Sequence, residues 1–81
     1  MTIKIFTLST CSHCRALKNF LDQHDLSYDA TDVDLLEGAE RRQAIEEVKK
    51  INPRCSFPTT VIGDRVICGF RQQEIEEALE L

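Results

Sequence analysis

Two periodicities alternate along this chain. Ile3-Lys4-Ile5-Phe6-Thr7-Leu8 is a short, largely apolar run of the kind that forms a buried strand. Ala16, Leu17, Phe20 and Leu21 then recur at the three- and four-residue spacing of one helical face, and that helix is expected to end near His24. Leu26 to Val33 alternates as a second strand would, and Asp34 to Gly38 turns the chain. From Ala39 the residues Ala44, Ile45, Val48 and Ile51 make an apolar stripe. Opposite it lie Glu40, Arg41, Arg42, Glu46, Glu47, Lys49 and Lys50, the solvated face of a surface helix that Asn52-Pro53 stops. Pro58 precedes the β-branched run Thr59-Thr60-Val61-Ile62, and Gly63-Asp64 folds it back onto Arg65-Val66-Ile67-Cys68 as a hairpin. Ile75, Ala78 and Leu79 mark a closing helix.

The expected order is therefore β-α-β-α-β-β-α, with no repeat, low-complexity tract or linker. A β-α-β crossover gives parallel neighbours and a tight hairpin gives antiparallel ones. The fold class that follows is α/β: a four-stranded mixed sheet with three helices, layered as a sandwich. At 81 residues the chain has room for one domain, spanning 1–81.

Composition narrows the function classes. Hydrophobic content of 42% and charged content of 30% are those of a globular protein, which excludes a disordered or collagen-like chain. A net charge of -4 without any basic cluster argues against nucleic acid or an anionic membrane surface, and favours proteins or small thiols as partners. No stretch is apolar and long enough to span a bilayer, and the amino terminus enters a strand pattern with no leader-like segment before it. A cytoplasmic protein is expected.

The candidate chemistry sits where the first strand gives way to the first helix, at Cys11-Ser12-His13-Cys14. The first turn of a helix offers unpaired N–H groups and the positive end of its dipole, both of which favour a thiolate over a thiol. With two intervening residues, Cys14 is within reach of a disulfide that Cys11 has formed with a substrate, so Cys11 is the expected nucleophile and Cys14 the resolving thiol. Two rivals use the same cysteines. One is a metal-binding module that joins Cys11 and Cys14 to Cys55 or Cys68, although the latter two do not repeat the spacing of a zinc ligand pair. The other is a secreted disulfide scaffold, against which the unequal cysteine spacings count. Haem attachment requires histidine after the second cysteine, where Arg15 stands.

The two-cysteine motif after the first strand, Pro58 opening the third and Gly69 after the fourth occur in the order found in the thioredoxin-fold family. Over nearly its whole length the chain resembles that family's smallest members, the glutaredoxins and glutaredoxin-like redoxins. The resemblance implies a protein-disulfide reductase working through a Cys11 mixed disulfide, without a bound cofactor or metal, on disulfide-containing protein substrates and as a monomer. It implies a cis peptide at Phe57-Pro58 beside the cysteines, which leaves the Phe57 backbone open to a substrate strand. Thr10, Ser12, Phe57, Pro58, Gly69 and Phe70 are the substrate-binding positions on this view. Glutathione-dependent members carry a lysine where this chain has Leu8, Thr-Val-Pro where it has Ser56-Phe57-Pro58, and Gly-Gly with an acidic residue where it has Cys68-Gly69-Phe70-Arg71. Gly69-Phe70-Arg71 is instead similar to the Gly-Phe-Arg of NrdH-redoxins, which take electrons from thioredoxin reductase. The expected reductant is accordingly thioredoxin reductase, with glutathione the alternative.

Three further positions carry expectations. His13 is expected to tune the redox couple by donating a ring hydrogen bond to the Cys11 thiolate. Cys55 and Cys68 should approach the same end of the sheet, either as a second, regulatory disulfide or trapping thiols, or as ordinary unpaired cysteines. His24 is a surface residue near a helix end.

Overall fold

In the computed structural model, which describes residues 2–80, strand β1 covers Ile3–Thr7 and leads through a short loop into helix α1, Ser12–Gln23. Strand β2 is Asp29–Asp32, followed by a single 3₁₀ turn at Val33–Leu35 and by α2, Gly38–Ile51. Strands β3, Thr59–Ile62, and β4, Arg65–Cys68, form the hairpin, and α3 is Gln72–Leu79. The sheet runs β2-β1-β3-β4, with β1 parallel to β2, and β3 antiparallel to both β1 and β4.

Period-two alternation along β1 divides the core in two. Ile3 and Ile5 turn toward α1 and α3, joining Leu17, Phe20, Leu21, Ile62, Ile67, Ile75 and Ala78. Phe6 turns the other way and packs with Val33, Ala44 and Val48 beneath α2. The helices therefore cover both faces, and each fully buried Leu, Ile or Phe contributes about 1.5–3 kcal/mol through its removal from water. On the α2 face, Lys4 closes a 2.9 Å ion pair with Glu47.

The second strand is shorter than the alternation of Leu26 to Val33 predicts. Only Asp29 to Asp32 find partners, opposite Lys4 to Thr7. Leu26 and Tyr28 are apolar because they pack on the α1 and α3 cluster as the chain leaves the helix, and Val33 starts the 3₁₀ turn instead of extending the strand. Gly38, expected in the preceding turn, is the first residue of α2 with φ +59°.

Candidate active site

Strand direction gathers the site. The carboxyl ends of β1, β2 and β4 and the start of β3 lie at one end of the sheet, because the register pairs Thr7 with Asp32, Phe6 with Thr59 and Thr59 with Cys68. The loop from Thr7 to Cys11 is tied down there by Asp34, whose carboxylate accepts the Ser9 N–H at 2.9 Å and the Ser9 hydroxyl. The chain then enters α1 with Cys11 at the N-cap, φ −84° and ψ 123°, and Cys14 three residues into the first turn.

This placement gives the two thiols opposite surroundings. Cys11 is half-buried, whereas Cys14 is 1% exposed. No closed cap hydrogen bond forms from the Cys11 side chain. The Cys14 N–H nevertheless faces its sulfur and, with the Cys14 thiol, the His13 N–H and the positive charge of Arg15, holds the Cys11 pKa below its usual value against the opposing effect of desolvation. Burial pushes Cys14 up to about 11, despite a hydrogen bond from the Leu8 N–H to its sulfur at 3.4 Å. One cysteine is thus an accessible, activated nucleophile, and the other is a protonated thiol held beneath it.

The remaining predicted positions fall into two groups. Thr10, Ser12 and His13 are exposed around the motif, and the group of His13 that reaches Cys11 is its backbone N–H. Pro58 is buried behind a cis Phe57-Pro58 bond, and its carbonyl accepts the N–H of Gly69 at 2.7 Å, which joins the starts of the third strand and the post-β4 segment. Phe57 packs against the α2 cluster and Phe70 against the α1 and α3 cluster, where its ring meets Phe20 edge-on at 6.1 Å. The two rings are therefore on opposite faces of the sheet and do not form one apolar patch. Cys55 is half-buried against the α2 cluster at φ +51°, and Cys68 is exposed on β4 opposite Thr59, so both lie at the motif end of the sheet. All four cysteines are free thiols, and among the described residues no three His, Cys, Asp or Glu side chains come together as a metal-holding group.

Beneath Cys14 lies a polar cluster that the sequence pattern did not single out. The register that pairs Thr7 with Asp32 turns both toward α1. There Thr7 donates its hydroxyl to Asp32, and Lys18 closes a 3.0 Å ion pair with the same carboxylate oxygen. These donors, Thr7 first, hold the Asp32 carboxyl below the ordinary carboxylate range. The available signal was Lys18 four residues after Cys14, on the same helical face.

A thiol pair at a helix start, beside a cis proline and at the end of a mixed four-stranded sheet with helices on both faces, defines the thioredoxin-fold class of thiol-disulfide oxidoreductases. Within that class the chain belongs to the glutaredoxin family, which it matches over residues 3–67. It is 38% identical to Methanosarcina acetivorans methanoredoxin, with a TM-score of 0.94 over 99% of this chain and 85% of that one. With the glutaredoxin-like NrdH-redoxin of Escherichia coli it shares 26% identity and a TM-score of 0.80 over 95% of this chain and 93% of that one. An uncharacterised glutaredoxin-like 8.6 kDa protein of the Clostridium pasteurianum rubredoxin operon is 28% identical over 78 residues, 96% of this chain and 97% of that protein. No helix among the described residues is long and apolar enough to cross a membrane.

Proposed function

We propose that the protein is a dithiol electron carrier that reduces protein disulfides in the cytoplasm, as a monomer of one domain and without a bound cofactor. The Cys11 thiolate attacks a substrate disulfide, forms a mixed disulfide and releases one substrate thiolate. Cys14 then loses its proton to solvent and attacks the Cys11 sulfur. A Cys11–Cys14 disulfide forms and the second substrate sulfur departs as thiolate, so two electrons pass from the protein to the substrate. The observation that carries this reading is the contrast between a half-exposed thiol with lowered pKa and a buried one raised to about 11. Thr10, Ser12, Phe57, Pro58, Gly69 and Phe70 are the proposed substrate-binding positions; His13 reaches Cys11 through its backbone N–H, which any residue at that position other than proline would supply, in place of the ring hydrogen bond expected of it.

Thioredoxin reductase is the proposed source of electrons. Leu8, where a glutathione-binding lysine would stand, is half-buried against the α2 cluster and offers no charge to a carboxylate. The solved Escherichia coli NrdH-redoxin is described as having a thioredoxin-like activity profile. NADPH oxidation coupled through thioredoxin reductase is expected to proceed faster than oxidation coupled through glutathione and glutathione reductase. Equal or faster turnover with glutathione rejects this reductant. A Cys14→Ser variant that fails to accumulate a Cys11 mixed disulfide rejects the dithiol roles.

A further inference from the structure

We propose that Lys18 is a positioning residue for the resolving step: its ammonium, clamped against the sheet by Asp32, stabilises the Cys14 thiolate as that sulfur attacks the mixed disulfide. The inference rests on the dithiol roles assigned to Cys11 and Cys14 above. A buried thiol must surrender its proton to react, and apolar burial opposes this. The Leu8 N–H, 3.4 Å from the sulfur, opposes burial most, and the Lys18 charge acts in the same direction. Lys18 is one turn further along α1 on the face that carries Cys14, close enough for its charge to favour the thiolate.

The clamp distinguishes Lys18 from a freely rotating surface lysine. Its side chain is 27% exposed and that of Asp32 26%, so the pair is screened from solvent more than an ordinary surface ion pair. Asp32 is itself fixed by the Thr7 hydroxyl, and Thr7 is fully buried at the end of β1. The ammonium is thus held at the base of the motif before a substrate arrives. The charged and titratable groups around Cys14 are Cys11, Lys18 and, through the clamp, Asp32; Asp34 faces Ser9 on the other side of the loop.

A neighbouring ammonium moves a thiol's pKa by about one. Removing it lowers the thiolate fraction near neutral pH about tenfold, and the greater nucleophilicity of a more basic thiolate recovers about threefold of this, which leaves a net slowing of about threefold. The step is resolved by mixing reduced protein, in a Cys55→Ser/Cys68→Ser background, with the chromogenic disulfide dithiobis(nitrobenzoate). Attack by Cys11 releases one nitrothiophenolate, and resolution by Cys14 releases a second. In Lys18→Gln the first phase should keep its rate, while the second slows about threefold and its pH midpoint moves upward. Lys18→Arg, which retains charge and ion pair, should restore both. An unchanged second phase and midpoint in Lys18→Gln, or equal slowing of both phases, overturns the role of Lys18. A parent protein without a second phase overturns the dithiol assignment instead, and the inference with it.

Discussion

At the scale of single residues, burial separates two thiols that are chemically alike. The N-cap position leaves Cys11 open to solvent and to the amides of the first turn, and three residues on Cys14 has turned inward. Brief alkylation of the reduced protein at mildly acidic pH should therefore label Cys11 well before Cys14, read by peptide mass, and preferential labelling of Cys14 would reverse their roles. Thr60 is a different kind of residue. Opposite Ile5 and Ile67 on the α1 and α3 face, it is fully buried, and its hydroxyl has no hydrogen-bond partner among the described residues. Exchanging that hydroxyl for a methyl group removes an unmet desolvation cost, so Thr60→Val should stabilise the fold by about 1 kcal/mol. Urea denaturation checks this, and a lowered midpoint would mean that the hydroxyl is satisfied in solution.

At the scale of elements, the segment between α2 and β3 depends on one side chain. Asn52 caps α2, is 2% exposed and donates its amide N–H groups to the Ser56 carbonyl at 3.3 Å, the Ser56 hydroxyl at 2.9 Å and the Thr59 hydroxyl at 3.0 Å. Thr59 in turn donates to the Ser56 carbonyl at 2.7 Å. This network shapes the loop that delivers Phe57 and Pro58 to the motif. Asn52→Ala leaves the Thr59 oxygen without its donor and opens a small void, so it should cost about 2 kcal/mol in denaturant titrations. Disulfide-reductase activity should fall as well, since the loop that enters β3 at the motif end of the sheet loses its anchor; full activity in the variant would show that the loop holds its shape without Asn52.

At the scale of the whole molecule, the buried Cys14 links stability to pH. An unfolded chain ionises this thiol near 9.0, whereas the folded one holds its proton until about pH 11. Its folded pKa is raised, so the contribution is fully present below about pH 9. As pH climbs from there toward 11 the unfolded state releases a proton that the native state keeps, and stability falls. The loss is on the order of 2 kcal/mol across that window. Denaturation of the fully reduced protein at successive alkaline pH values should show this decline, and Cys14→Ser should show it to a smaller degree. Parallel curves for the two proteins would remove Cys14 as the cause.

Local patterning determined most of the architecture. The strand before the motif, the helices of α1 and α2, the Gly63-Asp64 hairpin and the mixed sheet all follow from period, breakers and turn chemistry, which act over a few residues and so are visible in sequence. The two-cysteine motif was legible for the same reason, since its chemistry depends on a strand-to-helix junction. What only the tertiary structure decided are the contacts made across strands and layers. Pairing with β1 trimmed the second strand to Asp29–Asp32, because an alternating pattern cannot tell a strand face from a loop that packs on a core. Phe57 and Phe70 went to opposite faces of the sheet according to where their segments cross it. Thr7, Lys18 and Asp32 lie on three separate elements, and only the parallel register of β1 with β2 brings the threonine and the carboxylate level beneath α1, where the lysine meets them under Cys14.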